Sequence, residues 1–283
     1  MKEGNTMRKK ISVVLVTALT ASMVMLGGSA QARTHSAAPK VDLHLVKAGT
    51  LTVGMSLSFK PEMYLDANGK PAGYDVAMVT ALAKSLGLKL AIKNLDWAGL
   101  IPGLMARKFD MISAGHTNTP ERAKSITFTS DYVPYTTVVV AKTGTTLAAT
   151  IAGWNVAGTK ITALEGSTAA GLVKSTFPNA TLVGFPEQSA AFLEVASGRA
   201  NGIVVEEYLA ADFIKSNPGQ IAVVKMAKPI EVGFGAWGVQ LGNLSLKKKL
   251  NEFICTANTS GAMGKMFKKE MGFNLAEMPN ACS

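Results

Sequence analysis

The sequence is short of charge, of aromatic rings and of cysteine. Charged residues make up 17% of the 283 and aromatics 7%, whereas 48% are hydrophobic. That apolar content excludes a disordered polar chain. Two cysteines are too few for a disulfide framework to organise a chain of this length. Neither cysteine has a His or Cys partner at ligand spacing, which argues against a metal pair. Acidic residues are also scarce, 19 against 29 Lys and Arg, and the net charge is +10. An excess of that size raises the possibility of a polyanion partner. However, the longest basic run is Lys247-Lys248-Lys249, and no aromatic-studded basic motif accompanies it. Charge spread in this way serves solubility rather than nucleic-acid binding.

Long apolar runs are absent too, apart from Ile11 to Gly28. That run follows Lys2, Arg8, Lys9 and Lys10 and ends in Ser29-Ala30-Gln31-Ala32. A basic start, an apolar stretch and an A-x-A site describe a cleaved signal peptide over residues 1–32. No cysteine lies near the cut, so a lipid anchor is not expected. Discarding four bases and one acid lowers the charge from +10 to +7. After Ala32 no run reaches transmembrane length. The expected product is an exported, soluble protein that begins with a flexible leader over 33–40. In an oxidising compartment Cys255 and Cys282 favour a bridge pinning the C-terminal tail to its helix; two free thiols are the rival reading.

From His44 onward the pattern alternates between strand and helix. Strands are expected at Thr50–Gly54, Leu88–Lys93, Phe109–Ser113, Val138–Ala141, Lys160–Leu164, Thr181–Phe185, Gly202–Val205 and Ile221–Met226. Between them, apolar spacing predicts a helix capped by Asp75 and ended by Gly87, then one over Leu100–Ala106. It predicts others from the Ser167 cap to about Ser175, over Ser189–Ser197 and over Tyr208–Ser216. Two C-terminal helices are expected behind Ser245 and Thr259. This alternation implies α/β layers with largely parallel sheets. Two such blocks imply two lobes, with Gly-rich stretches near Gly144 and over Val232–Gly238 as candidate crossings. No short-period repeat is present.

The segment Gly99 to Arg122 reads GLIPGLMARKFDMISAGHTNTPER. Thr119-Pro120 has the form of an N-cap followed by proline at the first helical position, which sets Arg122 in the first turn. A guanidinium there offers a planar fork suited to a carboxylate. Gly166-Ser167-Thr168 opens another helix, whose amides and hydroxyls suit an anion. These motifs resemble those of the bacterial extracellular solute-binding proteins that deliver amino acids to ABC transporters. Phe59-Lys60-Pro61, the run Asp66 to Val76, Leu164 to Thr168 and Gly198 to Glu206 match that family's other signatures in the same order.

The resemblance implies a two-lobed type II periplasmic binding protein fold, with the ligand cleft between lobes joined by two hinge crossings. Lobe 1 would be 41–141 plus 233–283, and lobe 2 would be 142–232. It implies that Arg122, Ser167 and Thr168 hold the ligand carboxylate. Glu206, the Gly115 carbonyl and the Thr117 hydroxyl would hold its ammonium. Phe59 and Trp97 would form aromatic walls. Glu206 stands where the family usually has Asp, and Glu207 beside it is the competing acid. Ser56 lies where binders of basic amino acids often carry an acid, so its neutrality favours a polar or uncharged ligand. Glu62 replaces a usual aromatic and reads as an exposed loop acid, with the capacity to meet a cationic or amide end. Strand alternation turns His116 away from the cleft, as packing.

The implied function is capture of an amino acid in the periplasm by a monomer and its delivery to a membrane permease, with no cofactor and no metal. The alternative is an enzyme on the same fold, similar to cyclohexadienyl dehydratase, which requires a general acid beside the cleft.

Overall fold

A computed structural model describes residues 41–283 of the chain. The signal peptide and leader expected over 1–40 lie outside the described residues. The first stretch comprises β1 (Thr50–Met55), β2 (Ser58–Phe59), β3 (Met63–Leu65), β4 (Pro71–Ala72) and α1 (Tyr74–Ser85). Next come β5 (Lys89–Asn94), a 3₁₀ turn (Trp97–Gly99), α2 (Leu100–Met105), β6 (Met111–His116) and α3 (Pro120–Ala123). The long strand β7 (Ile126–Lys142) leads into α4 (Ile151–Trp154), β8 (Lys160–Leu164), α5 (Thr168–Thr176) and β9 (Thr181–Phe185). Then follow α6 (Gln188–Ala196), β10 (Gly202–Glu206), α7 (Glu207–Ser216) and β11 (Ile221–Val223). The chain returns along β12 (Glu231–Gln240) and closes with α8 (Leu244–Thr259) and α9 (Ala262–Met271).

The main sheet runs in the order β5-β1-β6-β12-β7-β10-β8-β9, with β11 also paired to β7. The pairings β1–β5, β1–β6, β8–β10 and β8–β9 are parallel, as the alternating pattern predicts. Every pairing made by β7 or β12 is antiparallel, so the sheet is mixed. The Val232–Gly238 stretch, expected as a Gly-rich crossing, lies within strand β12, and Gly144 lies in a turn beyond β7. Pairing of β12 with β7 takes Glu231 against Thr137, and its register shifts on either side of Ala236. Beyond that point β7 pairs through Val138–Ala141 with β10. These two strands therefore run through both halves of the sheet.

Three expected caps are misplaced, each for a local reason. Helix α1 is capped by Gly73, and its first free amides donate instead to the carbonyls of Pro61 (from Tyr74, 3.4 Å) and Glu62 (from Asp75, 2.9 Å). The Asp75 side chain is thereby released to turn inward, where it is fully buried. Asn243, not Ser245, caps α8 by accepting from the Leu246 amide at 3.1 Å. Thr259 ends α8, and α9 starts behind Gly261 at positive φ. Strand β11 stops at Val223, short of the expected Met226.

Met78, Val79, Leu82 and Ala83 of α1 are buried at helical spacing, each large apolar side chain contributing about 1.5–3 kcal/mol. Tyr74 meets Phe267 of α9 edge-on at 5.1 Å, so α9 closes the core over α1. A separate apolar cluster, which includes Trp154, Ile161, Val173 and Phe177, fills the β8–β9 half. Cys255 and Cys282 are joined in a disulfide.

Candidate ligand-binding cleft

The ends of β6 and β10 and the starts of α3, α5 and α6 converge on one cavity. Its walls carry Phe59, Glu62, Trp97, Gly115, Thr117, Arg122, Ser167, Thr168 and Glu206. Every one of these was a candidate from the sequence, although they span nearly 150 residues. Ser56 is the exception. It is buried outside the lining, with its hydroxyl 3.4 Å from that of Ser58. In this conformation the cavity is a small one, with a volume of about 30 Å³.

Arg122 is the one cation among the residues lining this cavity. Thr119 caps α3 as expected, accepting from the Arg122 amide at 3.3 Å, with Pro120 at the first helical position. The guanidinium donates to the carbonyls of Thr117 (3.2 Å) and Gly166 (3.0 Å). Burial lowers its proton affinity and Glu206 opposes that effect; it remains a cation. Ser167 caps α5 through the Ala170 amide at 3.2 Å, which places Thr168 at the helix start. Glu206 ends β10 and lines the cavity, whereas Glu207 is exposed. Burial raises the Glu206 carboxyl above its ordinary range, and Arg122 partly offsets this.

The aromatic wall is layered. Phe59 meets Trp97 edge-on at 5.8 Å. Trp97 stacks on His116 at 4.2 Å and 12° between planes. The Arg122 Cζ lies 5.6 Å from the Trp97 ring centroid, a cation–π distance. His116 lies behind Trp97 and outside the cavity lining, as packing. Burial, reinforced by Arg122, pushes its pKa well below the usual histidine value, so the ring is neutral.

Glu62 departs from expectation. It is 1% exposed, not a solvated loop acid, because the α1 amides hold its backbone against the core. Tyr135 donates to its Oε1 at 2.5 Å and Tyr208 donates to its Oε2. Burial raises its carboxyl well above the usual range, and Asp75 adds to the shift. Both tyrosines line the cavity and neither was a sequence candidate. They stand outside the quoted motifs, and only spatial convergence reveals them. Gln188 was missed for the same reason. It lines the cavity at 7% exposure, and its Nε2 has no hydrogen-bond partner among the described residues. Deeper in, Asp75 Oδ2 accepts from Ser113 (2.9 Å) and Tyr132 (2.7 Å), while its Oδ1 is unpartnered.

A cavity between the halves of one α/β sheet, with a cation and acids converging on it, has the chemistry to hold a small charged solute. Residues 51–273 match the bacterial extracellular solute-binding proteins, family 3, and the chain belongs to that family. Members bind amino acids and work with ABC transporters. The chain is 28% identical over 223 residues to ABC transporter arginine-binding protein 1 of Escherichia coli (strain K12), covering 77% of this chain and 89% of that one. Among solved structures, it is 31% identical, with a TM-score of 0.73, to an ancestral arginine-binding protein bound to glutamine. That likeness covers 80% of this chain and all of the other. It is also 29% identical, with a TM-score of 0.72, to an ancestral amino-acid-binding protein described as a precursor of cyclohexadienyl dehydratase, covering 79% and 95% of the two chains.

Proposed function

We propose that the protein captures an amino acid with a polar side chain in this cleft and passes it to the permease of an ABC transporter. The observation that carries this reading is Arg122, a cation fixed between a helix cap and the Gly166 carbonyl, facing a cavity that also holds Glu206. Arg122, Ser167 and Thr168 take the ligand carboxylate, each charge-assisted bond contributing roughly 1.5–3 kcal/mol. Glu206, the Gly115 carbonyl and the Thr117 hydroxyl take the ammonium. Phe59 and Trp97 bracket the aliphatic stem, while Gln188 offers an unused amide to a polar end.

The lining residues come from elements on both halves of the sheet, Phe59 and Trp97 on one side and Ser167 and Glu206 on the other, which favours entry by parting of two lobes and capture by their closure. Because Val138–Ala141 pair with β10, we set the division near Thr137 and Glu231 rather than after Ala141 and Val232. The periplasmic location rests on the signal pattern of residues 1–32 and on the relatives; the working unit is a monomer. A thermal-shift screen of the amino acids and opines tests the reading. One of them should raise Tm, by an amount equivalent to about 2.7 kcal/mol at a hundredfold excess over Kd. A flat response to all of them would sink it.

Glu62 also supports a second reading, an enzyme similar to cyclohexadienyl dehydratase. A buried carboxyl with raised proton affinity is suited to protonating a leaving hydroxyl. Turnover of prephenate or arogenate by the pure protein would favour that reading over transport.

A further inference from the structure

We propose that Glu62, clasped by Tyr135 and Tyr208, receives the side-chain end of the ligand and selects an amino acid whose side chain is positively charged. This inference rests on the amino-acid reading of the cleft and names its substrate class.

The clasp is a built feature. Tyr135 and Tyr208 are 73 and 146 residues from Glu62 in sequence, yet each hydroxyl donates to one of its two carboxyl oxygens. The two rings are roughly parallel, 6.0 Å apart. Gly73 and the α1 amides fix the backbone of Glu62, and a side chain on Gly73 would lie 2.5 Å from its carbonyl oxygen. Each carboxyl oxygen uses one acceptor site on a phenol, so acceptor capacity remains.

Charge balance then favours a cation. The charged residues lining the cavity are Arg122, Glu206 and Glu62. A zwitterionic amino acid matches its carboxylate to Arg122 and its ammonium to Glu206, which leaves Glu62 unmatched. The titratable groups that act on Glu62 are Asp75 from α1, Tyr135 from β7, Tyr208 from α7 and Glu206 from β10. All of these are acids or phenols. Arg122 donates to Thr117 and Gly166 and is not among the groups that act on Glu62. A buried carboxylate without a counter-charge is costly, and in the free cleft a proton answers that cost, consistent with the raised affinity of this carboxyl. A cationic ligand end replaces the proton, whereas a neutral amide does not. The neutrality of Ser56 is therefore no bar to a basic ligand, because the acid enters the cleft from position 62.

Calorimetry on the exported chain, with arginine, lysine, citrulline and glutamine in two buffers of different ionisation enthalpy, tests the proposal. Arginine or lysine should bind at least tenfold more tightly than citrulline or glutamine, with proton release seen as a buffer-dependent heat. Glu62→Gln should abolish both the preference and the proton release. Tyr208→Phe, which keeps the ring, should weaken cation binding several-fold more than it weakens the binding of neutral ligands. If citrulline or glutamine binds wild type as tightly as arginine does, or if Glu62→Gln keeps the cationic preference, the subsite assignment is overturned. Should that happen while Arg122→Ala still weakens binding at least tenfold, the amino-acid reading survives without it. If no amino acid binds wild type, both fall.

Discussion

The hydroxyl of Tyr135 occupies the space in which a side chain on Gly115 would begin. A Cβ added to Gly115 would lie 1.5 Å from it, and Gly115 itself has φ of +57°. The absence of a side chain at position 115 is what lets β6 carry a cleft residue directly against the Glu62 clasp.

Gly115→Ala should therefore cost stability and binding together. The positive φ contributes roughly 1–2 kcal/mol and the overlap about 1–3 kcal/mol more. For a chain of this size that corresponds to a fall of roughly 5–15 °C in Tm. Calorimetric scanning with a parallel ligand titration measures both. Wild-type values in the variant would show that the Tyr135 hydroxyl moves freely.

Arg122→Ala should weaken amino-acid binding by at least tenfold, since it removes a charge-assisted fork worth about 1.5–3 kcal/mol. The guanidinium also donates to two backbone carbonyls and partly offsets the burial of Glu206, so Tm without ligand should fall as well. Unaltered affinity in isothermal titration would refute the carboxylate clamp.

The pH profile of stability carries a signature of buried acids. Burial raises the Asp75 pKa from 3.8 to about 7. The folded state then holds a proton that the unfolded chain has lost, so stability is greatest below about pH 4 and falls as pH rises toward 7. Glu62 and Glu206 shift in the same direction. Urea titrations across this range should show the decline, and Asp75→Asn should flatten it. An unchanged slope in that variant would assign the effect to the other two acids.

The disulfide closes a loop of 27 residues in sequence separation, for which chain entropy gives about 3–4 kcal/mol. The tail has further ties. The Ser283 carbonyl accepts from Ser130 at 2.7 Å and from Asn251 at 3.2 Å, and Asn280 donates to Asp131 at 3.0 Å. Replacing both cysteines by serine should lower Tm by roughly 6–15 °C without abolishing folding. Non-reducing mass spectrometry that found both thiols free would remove the basis for this expectation.

Much of this architecture was legible because its signals are local. Thr119-Pro120 and Ser167 announce helix starts by side-chain chemistry, and Lys160–Leu164 is a strand by composition alone. Asp75 failed as a cap because its role was taken by carbonyls of Pro61 and Glu62, which chain spacing does not reveal. Strand β12 was hidden by its glycines, since its pairing with β6 and β7 is decided by distant partners. The Glu62 clasp was illegible for the same reason. An acid beside Pro61 looks like a loop residue until two phenols arrive from β7 and α7.

The tryptophans give the molecule a built-in optical reporter. There are three; Trp154 and Trp237 are fully buried away from the cavity, whereas Trp97 forms part of its wall. A change in indole emission on adding a solute would thus come chiefly from one fluorophore, flanked by a neutral imidazole on one side and a guanidinium nearby. Trp97→Phe should silence it, so that capture can be followed in real time without any attached dye.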